Sequence, residues 1–122
     1  MPQISVDYSA SLAGTFDRRG LGLAINRLAE ATIDAKPDSC KTVFRQSELL
    51  VVGTSGAAAD AQVFVEFQIF PGRSPEAKAA LSEGVLALLA QYVRPRPGTR
   101  LFTAVDIADI DRECYRNATA QG

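Results

Sequence analysis

The chain has 122 residues, of which 47% are apolar and 22% charged, and its formal net charge is −1. This length suits one domain spanning residues 1–122, and the composition excludes disordered and fibrous proteins. The near-neutral charge argues against nucleic acid as a partner, and the lack of a membrane-spanning apolar stretch or a secretory leader predicts a cytoplasmic protein with no membrane partner.

The first half of the chain predicts a strand, a helix and a second strand. Residues 3–8 alternate between polar and apolar side chains, as in a half-buried strand. Residues 17–35 predict a helix that Pro37 stops, and residues 42–52 are rich in β-branched and apolar side chains, with a turn at 53–56. The predicted apolar stripe of the helix consists of Leu21, Ile25, Leu28 and Thr32.

The second half repeats this order. Residues 62–70 predict a strand, and because a short loop joins it to the preceding strand, residues 42–70 are expected to form a long hairpin. Ser74-Pro75-Glu76 has the residue order of a helix start, and an apolar stripe continues to Tyr92. A last strand carries Leu101, Thr103, Val105 and Ile107 on one face, and the tail from residue 109 is polar.

Two successive strand-helix-strand units predict an α+β fold with internal duplication. In this fold two helices cover one face of a four-stranded mixed sheet. The opposite face is too apolar for solvent and too polar for a core, so we expect it to form a subunit interface. Its predicted residues are Phe64, Phe70, Phe102 and Ala104, beside Gln68 and Asp106.

The types of residue present limit the available chemistry. Histidine is absent, which excludes Ser-His and Cys-His nucleophile systems and the common histidine metal sites, so no metal is expected. Cys40 and Cys114 lie far apart in sequence and are expected to be ordinary reduced thiols. Tyr8 is expected to pack within the first strand, although it could also line a pocket.

Pro2 begins the first predicted strand. If Met1 is removed, Pro2 becomes an N-terminal secondary amine, and an α-amino group titrates near neutrality, with a pKa of roughly 7.7–8.0. Held at the end of a strand, such an amine could transfer protons. A chance Met-Pro start is the simpler interpretation unless other functional residues converge on Pro2.

Arg73 lies where the third strand ends and the second helix begins. There a guanidinium could bind a carboxylate through two hydrogen bonds, while the helix N-terminus adds a favourable field. An ordinary surface arginine beside a helix cap is at least as good an interpretation from the residues alone.

These features together resemble the tautomerase superfamily. The resemblance rests on Pro2 at the start of the first strand, the duplicated strand-helix-strand plan and Gly72-Arg73-Ser74-Pro75-Glu76, and it covers essentially the whole chain. It implies a homotrimer with cofactor-free sites at subunit interfaces. The implied activity is proton transfer in an unsaturated 2-hydroxy or 2-oxo di- or tricarboxylate, as an isomerase of aromatic catabolism.

The resemblance also implies roles for individual residues. Pro2 matches the terminal proline base, and Arg73 matches an arginine that holds a substrate carboxylate. A second substrate-binding cation is expected on the second strand, where Lys41 and Arg45 share one strand face. Lys41 matches the position better but replaces an arginine, and a lysine cannot form the same bidentate contact.

Two alternatives to an isomerase remain open. One is a trimer of the same fold with another reaction, such as hydration or dehalogenation of an unsaturated acid. The other is a non-catalytic trimeric binding protein that keeps the fold.

Overall fold

A computed structural model of the chain describes residues 2–56 and 59–122. Met1, whose removal would expose the Pro2 amine, lies outside the described residues. The main elements in chain order are β1 Gln3–Ser9, α1 Arg18–Ile33, β2 Lys41–Ser47, β3 Asp60–Ile69, α2 Pro75–Tyr92 and β4 Arg100–Asp109. Short 3-10 turns at Ala10–Leu12 and Pro37–Ser39 follow β1 and precede β2.

The strands form one mixed sheet in the order β2-β1-β3-β4. β1 pairs in parallel with β2, with Gln3 opposite Lys41, and β3 pairs in parallel with β4. The two parallel pairs join through antiparallel pairing of β1 with β3, where Gln3 lies opposite Gln68. Each half is thus a β-α-β unit, which confirms the duplicated α+β fold.

The predicted hairpin over residues 42–70 is wrong. β2 ends at Ser47 instead of residue 52, and β1 lies between β2 and β3. A helix between two strands lets them pair in parallel, so β1 pairs with β2 and β3 with β4. Residues 48–59 therefore connect two strands that lie on opposite sides of β1. The apolar residues of this connection led the sequence to predict a longer second strand.

The helices pack on one face of the sheet and against each other. Asp17 caps α1 and Ser74 caps α2 through side-chain hydrogen bonds, the second at the predicted helix start. Near the end of α1 the predicted apolar stripe is wrong by one position, because Ala29 and Ile33 are buried instead of Leu28 and Thr32. The side chain of Leu28 instead packs against α2, where Gly84 leaves room for it. The buried apolar residues of the two helices are Leu21, Ile25, Ala29, Ile33, Leu81, Val85 and Leu89.

The other face of the sheet has no helix over it. It carries Gln3, Ser5 and Asp7 of β1 and the alternate residues of the neighbouring strands, as their register requires. Two apolar side chains on it, Val43 and Phe102, are 45% and 39% exposed. No helix within residues 2–56 and 59–122 is long and apolar enough to span a membrane.

Candidate active site

One end of the sheet brings together the start of β1 and several connections. β1 and β2 begin there, because Gln3 lies opposite Lys41. β3 ends there because it runs antiparallel to β1, and β4 ends beside it, with Asp109 opposite Ile69. We call this region the proline end of the sheet, after Pro2. The residues before β2, the start of α2 and the C-terminal segment all lie at this end.

Pro2 is buried at the start of β1. Its carbonyl oxygen accepts a hydrogen bond from the main-chain N–H of Lys41, with nitrogen and oxygen 3.2 Å apart. β1 is an inner strand, so Pro2 is held by a strand with neighbours on both sides. The backbone at this position is therefore fixed, as a positioned proton-transfer group requires.

The two predicted cations of β2 lie at different distances from Pro2. Lys41 begins the strand beside Pro2, whereas Arg45 lies opposite Asp7, about 13 Å further along at the usual rise per residue. Arg45 forms two hydrogen bonds with the Asp7 carboxylate, at 2.8 and 3.2 Å, and these raise the pKa of the Arg45 guanidinium. The Lys41 ammonium is exposed, and it donates only a long 3.4 Å bond to the Ser39 carbonyl among the described contacts.

Arg73 lies at the proline end, half-buried between α1 and β3. Its guanidinium donates to the carbonyl of Phe70 at the end of β3 and to that of Ile33 at the end of α1, both at 3.2 Å. These bonds use two of the five N–H donors of an arginine side chain. Arg73 thus joins the two β-α-β halves in this chain, and its other N–H donors have no hydrogen-bond partner among the described residues.

A cleft of about 500 Å³ opens at the proline end of the sheet. One wall comes from the start of β1 and the residues around the turn before β2, and the other from the C-terminal segment. Two lysines face one aspartate in this lining, so its side chains carry a net positive charge. The lining residues are Gln3, Lys36, Asp38, Ser39, Lys41, Tyr115, Asn117, Ala118 and Thr119.

The C-terminal segment is fixed to the end of β3 rather than free. The N–H of Ile110 donates to the Ile69 carbonyl at 2.8 Å. The ring of Phe70 then meets Tyr115 edge to face at 5.3 Å and the guanidinium of Arg112 at 4.3 Å. Such aromatic and cation–π contacts each stabilise by about 1 kcal/mol. The polar tail therefore forms a wall of the cleft.

Three weaker candidates from the sequence are Tyr8, Cys40 and Cys114. Burial raises the pKa of the Cys40 thiol, which keeps it protonated and unreactive near neutrality. Cys114 is exposed and Cys40 is buried, and both are free thiols. Tyr8 is buried, accepts a hydrogen bond from Arg18 at 2.9 Å and packs edge to face on Phe16, as expected for a core residue.

Sequence reasoning did not predict the cleft residues Lys36, Asp38 and Asn117. Lys36 and Asp38 lie in what appears in sequence as a plain linker after α1, and Asn117 lies in a polar tail without periodicity. The signal that could have found them is topological. In a duplicated β-α-β sheet, the segment before β2 and the segment after β4 meet at the end where β1 begins.

Comparison of the sequence with protein-family models gave no match, and comparison with curated proteins gave none. Solved structures do match. The chain superposes on a 5-carboxymethyl-2-hydroxymuconate isomerase from Deinococcus radiodurans R1 with a TM-score of 0.84, at 19% identity, over 98% of this chain and 90% of that one. The chain has the tautomerase fold.

Two further solved structures with different names are similar in fold. A fused 4-OT wild-type symmetric trimer matches with a TM-score of 0.69 at 19% identity, over 97% of this chain and 93% of that one. A member of the cis-3-chloroacrylic acid dehalogenase family matches with a TM-score of 0.60 at 17% identity, over 86% of this chain and 75% of that one. The tautomerase resemblance is thus confirmed for the fold, which serves several reactions.

Proposed function

We propose that the protein is a cofactor-independent cytoplasmic tautomerase that moves a proton within an unsaturated 2-hydroxy or 2-oxo di- or tricarboxylate, such as 5-carboxymethyl-2-hydroxymuconate, in aromatic catabolism. The position of Pro2 carries this proposal. It is buried and fixed at the start of an inner strand, and its neighbours Gln3 and Lys41 line the cleft, although Pro2 and Arg73 are not among the lining residues. The similarity in fold to a 5-carboxymethyl-2-hydroxymuconate isomerase supports the choice of substrate class.

Pro2 acts as the base once Met1 is removed. Desolvation and neighbouring positive charge both disfavour a protonated amine, so the pKa of a free Pro2 amine falls below its ordinary value. The amine takes the proton from the 2-hydroxyl oxygen, and the ammonium so formed returns it to a carbon of the conjugated chain. Atoms and electrons balance without a cofactor.

Lys41 and Arg73 bind substrate carboxylates and stabilise the negative charge of the dienolate. Lys41 is preferred to Arg45 as the second cation, because it lies beside Pro2 and has no carboxylate partner among the described residues. Arg73 keeps unused N–H donors at the same end of the sheet. Each of these residues is assigned by position and chemistry.

The active form is a homotrimer in which the uncovered sheet face lies between subunits. The exposed apolar side chains of Val43 and Phe102 on this face favour burial against another copy. The similarity to a fused symmetric trimer of the same fold adds support. Light scattering at micromolar concentration tests the proposal, and a monodisperse monomer contradicts it.

The decisive experiment compares two preparations of one sequence whose masses show Met1 removed or retained. We expect the processed protein to ketonise a 2-hydroxymuconate-type substrate, and the change in ultraviolet absorbance measures this reaction. Retained Met1 converts the Pro2 nitrogen to an amide, which is not a base at neutral pH, so that preparation should be nearly inactive. Equal turnover by both preparations rules out the amine as the base.

Asp38 supports a second candidate function. A carboxylate in the same cleft could activate water, as hydration or dehalogenation of an unsaturated acid requires. Assaying the processed protein with a 3-halogenated unsaturated acid and measuring halide release distinguishes this reaction from tautomerisation. A trimer that binds such acids without turning any of them over is a binding protein.

A further inference from the structure

The cleft at the proline end has a second cation that neither the terminal amine nor the predicted arginines account for. We propose that Lys36 and the C-terminal wall around Tyr115 and Asn117 determine specificity by binding a second substrate carboxylate, besides the one that Lys41 binds. This inference rests on the proposed function for the identity of the substrate, but it concerns binding and can be tested without turnover. It explains how a dicarboxylate is selected over a monocarboxylate of the same length.

The backbone at Lys36 is fixed, so its side chain starts from a defined point. Its carbonyl accepts three hydrogen bonds, from the Ser39 N–H at 3.0 Å, the Ser39 hydroxyl at 2.7 Å and the Cys40 thiol at 3.5 Å. Pro37 follows directly and restricts the turn further. The turn therefore fixes the backbone from which the Lys36 side chain extends at the edge of the cleft.

Lys36 forms no ion pair with the residues that the structure describes. Of the cations in residues 2–56 and 59–122, Arg45, Lys78 and Arg100 form ion pairs, and Lys36 does not. Lys36 and Lys41 both line the cleft, with Asp38 as the one acidic side chain between them in sequence. Two ammonium groups at one cleft suit a ligand with two carboxylates, while Asp38 weakens the binding of either carboxylate.

The C-terminal wall supplies hydrogen-bonding groups opposite these lysines. Tyr115 is held by its ring against Phe70, and its hydroxyl accepts a bond from the Asn117 amide at 3.3 Å. That contact leaves the second amide hydrogen and the carbonyl oxygen of Asn117 available to a ligand. A carboxylate between Lys36 and Asn117 would thus have donors on both sides.

Equilibrium binding of two unreactive probes tests the inference on the full-length protein with Met1 removed. The probes are trans,trans-muconate and sorbate, which share the same dienoate chain and differ in that a methyl group replaces one carboxylate. We expect muconate to bind more tightly than sorbate and this preference to shrink as salt concentration rises. Isothermal titration calorimetry measures both affinities without catalysis.

The variants Lys36→Gln and Asp38→Asn should act in opposite directions. Lys36→Gln should weaken muconate binding roughly three- to tenfold and leave sorbate binding unchanged, the range for an accessible charge pair. Asp38→Asn should strengthen muconate binding by a few-fold because it removes a like charge. Arg94→Gln is the matched control, since it removes one positive charge near the opposite end of the sheet, after α2.

The C-terminal wall has its own test. Asn117→Ala should weaken muconate binding and spare sorbate. Tyr115→Ala also detaches the segment from Phe70, so it should weaken the binding of both probes. Tyr115→Phe keeps the ring contact and controls for that loss.

Each outcome bears on the inference separately from the proposed function. If the processed protein ketonises the substrate but Lys36→Gln keeps the preference for muconate over sorbate, the inference is overturned and the tautomerase proposal stands. Muconate binding that depends on Lys36, without turnover by the processed protein, supports the inference and contradicts the proposed reaction. No preference of the wild-type protein for muconate over sorbate also overturns the inference.

Discussion

The main-chain N–H of Lys41 donates to the carbonyl oxygen of Pro2 across 3.2 Å. This bond connects Pro2, the residue before β1, with the first residue of β2, although 38 residues separate the two positions in sequence. It places the proposed base and a cation on adjacent strands at one end of the sheet.

Substituting Pro2 should lower kcat less than retaining Met1 does. Pro2→Ala leaves a primary amine at the same place once Met1 is removed, so we expect kcat to fall but activity to persist. Because the amine must be unprotonated to act as a base, the rate should fall on the acidic limb of the pH profile, at the pKa of the amine. Initial rates from pH 5 to 9 measure this. A pH-independent rate in mass-verified processed protein would contradict a titrating base.

Removing the Arg73 side chain should affect binding and stability together. Arg73→Ala loses the proposed carboxylate contact, which costs roughly 2–4 kcal/mol of transition-state binding and appears mainly as a higher KM. It also leaves the carbonyls of Ile33 and Phe70 without these donors. We therefore expect a lower midpoint of urea unfolding.

Arg73→Lys keeps the charge and loses the paired donor geometry. It should recover part of the lost affinity but little of the stability. If Arg73→Ala lowers stability and leaves the kinetics on every active unsaturated dicarboxylate unchanged, the residue only joins the two halves of the fold.

The two cations of β2 should differ in kinetic importance. Lys41→Gln should raise KM by roughly tenfold, because it removes an unpaired charge beside Pro2. Arg45→Gln should change KM less than twofold, since Arg45 is already paired with Asp7 and lies further along the strand. Steady-state kinetics of both variants test this, and the reverse order would assign the second cation to Arg45.

Much of the fold could be predicted from sequence because its signals are local. The alternation in β1 and β3, and the Ser74-Pro75 start of α2, depend on neighbouring residues and were confirmed. Strand order depends on pairing between distant segments, which local patterns do not report. The apolar residues at 49–52 have the pattern of a strand, so the sequence predicted a longer β2 than the structure has. Arg73 was placed correctly at the strand-helix junction, but its bond to Ile33 joins residues 40 apart and leaves no local trace.

The ion pair between Asp60 and Arg100 should stabilise the fold at neutral pH and lose this effect at acid pH. Arg100 donates two hydrogen bonds to the Asp60 carboxylate, at 2.9 and 3.0 Å, and these lower the pKa of Asp60. A carboxyl group with a lowered folded-state pKa contributes stability above its unfolded pKa of about 3.9, and loses it as pH falls through the folded value. Asp60→Asn should therefore be less stable than the wild type at pH 7, and the difference should shrink towards pH 2. Urea unfolding at both values measures it.

The burial of Pro2 on an inner strand also sets an order of events during synthesis. The N-terminus leaves the ribosome first, but its strand partners in β2 and β3 are made later, so Pro2 stays accessible until residues 41–69 have followed. We therefore predict that an aminopeptidase removes Met1 more readily in that interval than after folding has buried Pro2. Methionine aminopeptidase should accordingly process a peptide of residues 1–12 much faster than folded protein that retains Met1, and equal rates would contradict this order. Rapid folding or overproduction would then leave a well-folded population that lacks the amine we propose as the base.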